Sequence, residues 1–143
     1  MTPLFVDSFI KDRNILFIID NQDRVLLKHD VSEGNYNLLG LQGKGDRDKD
    51  LVDLMHYAEF LLKKPITKAL ELLNCSFLQF PTFALNNNIY NRKSYILHVE
   101  DPDETQLSEK SLHFHSLSEI KRNKFLMEYY GDVISVLEWK KST

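Results

Sequence analysis

Residues Gly40 to Ile66 read GLQGKGDRDKDLVDLMHYAEFLLKKPI, a glycine-bearing polar loop that runs into a stretch of helical periodicity. The segment Asp46 to Asp50, rich in Asp with Gly43 and Gly45 upstream, marks a helix start, because Asp side chains accept from the first amides and suit the positive helix end. Leu51, Leu54, Met55, Ala58, Leu61 and Leu62 then recur at helical spacing, which predicts a stripe facing a core. Pro65 is expected to end or kink this helix. Thr67 to Leu73 is read as one more helical turn, followed by a strand through Ser76 to Phe80. On the other side, Ile15 to Ile19, the polar turn Asn21-Gln22-Asp23 and Val25-Leu26-Leu27-Lys28 read as strand, turn and strand.

The loop and helix together resemble a Nudix box. The family pattern is a glycine, five residues, Glu, seven residues, then Arg-Glu-apolar-x-Glu-Glu-x-Gly-apolar. Aligned on the helix, Asp50 falls where the first Glu belongs, Ala58 replaces the Arg, Glu59 keeps the next Glu and Phe60 keeps the apolar position. Leu62 and Lys63 stand in place of the paired Glu-Glu, and Pro65-Ile66 in place of Gly-apolar. Positions 59, 62 and 63 are spaced i, i+3 and i+4 and share one helix face. Three carboxylates on that face would hold Mg²⁺, which takes oxygen ligands from a few carboxylates and from substrate phosphates and activates a water. Here the resemblance leaves one carboxylate beside an apolar residue and a cation, so it implies a degenerate box with little ordinary hydrolysis.

Further segments carry the resemblance in the right order, from about residue 14 to 137. The opening hairpin is one. Tyr36-Asn37-Leu38-Leu39-Gly40-Leu41 is similar to the family's Trp-x-Leu-Pro-Gly-Gly segment, and Leu112 to Ile120 resembles its late strand and short helix. Counting forward from Gly40-Leu41 places the first box position at Arg47, whereas counting back from the helix places it at Asp50, so the loop register stays open. Tyr90 to Val99 reads as a strand, Asp101-Pro102-Asp103-Glu104 as an exposed acidic loop and Phe125 to Trp139 as a terminal amphipathic helix. The order is α+β, a mixed β-sheet with helices on both sides, as a Nudix-like α/β/α sandwich requires. Residues 1–143 are expected to form a single domain.

Composition narrows the partners. Net charge is −3 with acidic and basic residues mixed, so no broad nucleic-acid surface is expected. The single cysteine, Cys75, cannot close an internal disulfide and reads as a small buried residue. The N-terminal MTPLFVDSFIKDRN has no signal-length apolar run, and no segment approaches the ~20 apolar residues of a membrane span. The expectation is a cytoplasmic protein that does not engage a membrane, with a homodimer left open.

Each candidate residue carries a plain reading beside a chemical one. Asp50 and Glu59, with Asp46, Asp48 or Asp53, could surround a divalent cation, against a charged loop that runs into a solvated helix face. Glu59 is also the one candidate for catalysis. Lys28, Lys44, Arg47 and Lys63 could form an anion-binding set, and Lys63 could neutralise a phosphate as a point charge; surface solvation is the plain alternative for each. The aromatics Tyr36, Phe80, Phe83, Tyr90 and Tyr95 could stack on a base, although core packing and strand propensity explain most of them. The resemblance places Tyr36 beside a pocket mouth and singles it out. His113 and His115 alternate in a strand and point to one side, without the third ligand of a recognisable metal spacing. His29 and His56 read as isolated surface residues.

These features imply a protein related to nucleoside-diphosphate-X pyrophosphohydrolases that binds a nucleotide-like small molecule or a protein partner and requires no cofactor. The alternative is an active divergent hydrolase that uses Mg²⁺ or Mn²⁺ in a rebuilt site around Asp50 and Glu59, with a further ligand from Glu100, Glu104 or Glu109.

Overall fold

The computed structural model describes residues 10–64, 71–81 and 89–142. Its strands are β1 (Ile10–Ile19), β2 (Val25–Asp30), β3 (Asn35–Gln42), β4 (Glu71–Pro81), β5 (Ile89–His98) and β6 (Leu112–His115). Its helices are α1 (Arg47–Leu62), α2 (Glu104–Ser108), α3 (Leu117–Lys121) and α4 (Lys124–Ser142). The strands form one six-stranded sheet among the described residues, in the order β4-β5-β1-β3-β2-β6. It is a mixed sheet: β1 and β5 run parallel over their whole length, and the other pairs are antiparallel.

Strand β1 explains the layering. Ile15 to Ile19 is an unbroken apolar run and every one of these residues is buried, the pattern of a strand covered on both faces. Leu16 and Ile18 point into one cluster, with Leu54, Ala58, Leu61 and Leu62 of α1. Ile15, Phe17 and Ile19 point into the other, with Ile120 of α3 and Leu126, Val133 and Leu137 of α4. The result is helix, sheet, helix.

The turn from β1 to β2 closes on Asp20. Its buried carboxylate accepts from the Gln22 and Arg24 amides and pairs with the Arg24 guanidinium at 2.8 Å. A buried charge is tolerated when its lone pairs are filled in this way. Strand β3 then joins two partners in succession. Asn35 to Leu38 pair with β2, and Leu39 to Gln42 pair with β1. At Gly40, opposite Ile15, the backbones are close. A Cβ there would stand 2.6 Å from the Asn14 carbonyl oxygen.

The expected helix is present, with its limits shifted. Asp46 is the N-cap and accepts from the Asp48 and Lys49 amides. The helix stops at Leu62, ahead of Pro65, because Lys63 turns into the left-handed region with φ 54°. The helical turn expected over Thr67 to Leu73 is corrected in its second part: Glu71 onward belongs to β4, where backbone pairing with β5 outweighs local helical preference. The Asp101–Glu104 loop leads into a short helix missed in the sequence, α2, capped by Asp103.

Candidate functional site

The β3–α1 loop is held by buried polar groups. Asp50 is 2% exposed, and its Oδ1 accepts from the Lys44 amide at 2.9 Å. Its Oδ2 lies beside Gly43, 3.3 Å from where a Cβ would stand, with Asp12 and Asn14 around the same point. Asn14 is equally buried, and its Oδ1 has no hydrogen-bond partner among the described residues. Above this group, burial raises the Tyr95 phenol, and the negative charge of Asp50 adds to the shift. Tyr95 itself is 1% exposed, a core ring rather than a stacking platform. The neighbouring acids have structural partners too: Asp46 caps the helix, and Asp53 pairs with Lys44 Nζ at 2.8 Å, a contact that raises the Lys44 ammonium.

Asp50 and Glu59 do not meet. They are nine residues apart on one helix, about 14 Å along its axis at 1.5 Å per residue. One ion cannot bridge them, which corrects the expectation of a shared metal site. Among the described residues no group of three or more His, Cys, Asp or Glu side chains is arranged to hold a metal ion. Glu104, considered as a ligand from the later loop, instead pairs with Arg24 at 3.3 Å.

At the other end of α1 the three positions of the expected carboxylate ladder have separate fates. Glu59 is partly exposed, Leu62 is built into the core and Lys63 is the exposed left-handed cap. Three of the last carbonyls of the helix have partners. Lys63 N–H donates to Glu59 O, Lys110 Nζ to Phe60 O at 3.2 Å and Gln106 Nε2 to Leu61 O at 3.1 Å. A backbone N–H, a side-chain amide and one ammonium satisfy orphan acceptors at the helix C-terminus, and the ammonium complements the dipole. Lys63 and Lys64 also border a cleft of about 310 Å³ against Asp101 and Asp103.

A larger groove, about 740 Å³, runs beside the middle of β3. Arg13, Lys28, Asp30, Tyr57, Lys110 and Tyr130 line it around the β3 backbone from Asn37 to Gly40. Arg13 lies across Gly40, with Nε 3.4 Å and Cζ 3.5 Å from the place a Cβ would take. Burial raises the Tyr57 phenol, and the nearby Arg13 charge offsets part of that rise. Of the expected anion-binding set only Lys28 borders this groove; Lys44 is bound to Asp53 and Lys63 belongs to the other cleft. Arg13, Tyr57, Lys110 and Tyr130 carried no sequence signal, because only the strand register and the helix packing bring them together.

Tyr36 stands outside the groove lining, in a ring cluster. Its centroid is 4.5 Å from that of His115, 4.7 Å from His29 and 6.4 Å from His113. His29, expected to be isolated, is drawn in because it pairs with Tyr36 across β2 and β3. Burial lowers the His115 imidazole, against the opposing pull of Glu119. The side chains of Cys75, Phe80 and Tyr90, and the whole of Phe83, lie outside the described residues.

The chain is similar to solved structures. It aligns with the MutT protein of Methanosarcina mazei Go1 at 14% identity and a TM-score of 0.65, over 94% of this chain and 96% of that one. It aligns with the Ap4A hydrolase of C. elegans at 13% identity and a TM-score of 0.60, over 93% and 97%. No family model and no curated protein sequence matches it.

Proposed function

We propose that this chain, whose fold is Nudix-like, binds a nucleotide-like ligand without ordinary magnesium-dependent hydrolysis. The observation that carries this is the state of the α1 face. Hydrolysis of the Mg²⁺-dependent kind needs several carboxylates within reach of one ion, and Leu62 is packed into the core while Lys63 forms the helix cap.

A second way of placing the pattern supports the same reading. Helices commonly end on a left-handed glycine, so the box glycine fits the left-handed Lys63 better than Pro65. That placement moves the carboxylate ladder to Tyr57, Phe60 and Leu61, and none of these is acidic. It also puts the first Glu position at Asp48, next to the Arg47 found by counting forward from Gly40-Leu41. Either placement lacks the acidic ladder.

Thermal melting with and without Mg²⁺ or Mn²⁺ tests the proposal, since a ligand that binds the native state raises stability as its concentration exceeds Kd. Metal is expected to leave Tm essentially unchanged. A large metal-dependent rise that disappears in Glu59→Gln would overturn the proposal in favour of a rebuilt hydrolytic site.

A further inference from the structure

A helix on a protein surface turns charged or polar side chains to water. Over most of its length α1 does not. From Leu51 to Leu62 its exposed residues are Val52, His56 and Phe60, with Val52 49% and Phe60 68% exposed. Lys49 and Lys63, also exposed, stand at the two ends of the same row. The spacing 49, 52, 56, 60, 63 repeats after eleven residues, which keeps the row nearly straight along the helix. It spans about 21 Å at 1.5 Å per residue. The Phe60 ring is held in place, with Lys110 Nζ 4.6 Å from its centroid and tethered to Phe60 O at 3.2 Å. Exposed aromatic rings of this kind are enriched where proteins meet.

Charge selects the partner. Among the described residues Lys49 and Lys63 have no ion-pair partner. The acids flanking the row are engaged: Asp53 pairs with Lys44 at 2.8 Å, and Glu59 is not free. A second copy of this chain is a poor match. Paired antiparallel about His56, it sets Lys49 against Lys63 of the copy; paired in parallel, it sets each lysine against itself, and juxtaposed like charges are costly. We propose that this row docks an acidic amphipathic helix of another protein. Apolar side chains of that helix pack on Val52, His56 and Phe60, and its carboxylates meet Lys49 and Lys63. The mode is a helix laid along an apolar row, and it stands apart from the ligand binding proposed above. Each ion pair at the rim contributes little affinity, but the two together fix orientation and reject basic partners.

Two synthetic helical peptides of about five turns are the probes, both with leucines along one row. One carries Glu and the other Lys at the two positions that meet Lys49 and Lys63. Fluorescence anisotropy with the full chain is expected to show the Glu peptide binding about tenfold more tightly than the Lys peptide, an advantage that shrinks as salt rises. Phe60→Ala should weaken the Glu peptide by about tenfold, and Lys49→Glu combined with Lys63→Glu should reverse the preference. Val31→Ala, at a residue 73% exposed on the β2–β3 turn, should change nothing. All the substituted side chains are exposed, so the variants are expected to fold. Sedimentation is expected to show no self-association through this face. Equal binding of the two peptides, binding that ignores Phe60→Ala, no binding of the Glu peptide to folded protein, or a dimer that Phe60→Ala dissolves would each overturn the proposal.

Discussion

Gly40 carries its constraint in a single missing carbon. A Cβ at 2.6 Å from the Asn14 carbonyl oxygen would meet backbone rather than a movable side chain, so β1 and β3 would have to separate. Gly40→Ala is predicted to cost about 1–3 kcal/mol, the usual range for overpacking, seen as a lower urea midpoint at unchanged slope. Asp50 illustrates how a residue can be found in sequence and given the wrong task. Its position at the helix start was legible, whereas its use as acceptor for the Lys44 amide depends on how the Gly43–Asp46 loop folds back. His115 supplies a pH prediction. Burial holds its imidazole below the ordinary 6.5, so below that pH the unfolded chain binds a proton the folded chain resists. Its contribution to stability is full above the ordinary value and declines as pH falls from there. Urea midpoints between about pH 7.5 and 5.5 should therefore fall less steeply in His115→Phe than in the wild type; parallel slopes would contradict this. The contribution of Glu119, whose carboxylate is lowered first by the Ser116 amide, is lost only at more acid pH and does not enter this window.

Helix α1 was the most legible element, because its start and its stripe are written in side chains. Leu54, Ala58, Leu61 and Leu62 are buried as their spacing predicts, and Leu51 and Met55 pack at the margin. Its end falls at Leu62, ahead of Pro65, and the exact stop was not legible, since a non-glycine residue in the left-handed region leaves no mark in sequence. Lys63 adopts φ 54° and ψ 40°, a conformation that costs an L-residue roughly 1–2 kcal/mol and glycine much less. Lys63→Gly is accordingly predicted to raise stability by about 1 kcal/mol, measured by urea unfolding. An unchanged or lower midpoint would mean that the lysine contributes a compensating interaction. The helix α2 was hidden for a different reason. At five residues it is too short to show a period, and it is held by a contact remote in sequence, Gln106 Nε2 to Leu61 O, with Lys110 just beyond it donating to Phe60 O.

Across the molecule, apolar β1 and the helical stripes announce a sheet covered on two sides, and apart from α2 and the start of β4 the elements follow the order expected from sequence. What the order does not contain is register. The placement of Ile15 opposite Gly40 and of His29 opposite Tyr36 assembles both the groove and the ring cluster, and no local pattern reveals it. Among the described residues no helix is long and apolar enough to cross a membrane. The central claim concerns chemistry, a Nudix-like fold proposed to bind and not to cut. Its most direct test is release of phosphate or nucleoside monophosphate from a panel of nucleoside-diphosphate compounds with Mg²⁺ or Mn²⁺, for wild type and Glu59→Gln. The account predicts no release above the protein-free rate from either folded protein; metal-dependent turnover by the wild type that is lost in Glu59→Gln would contradict it.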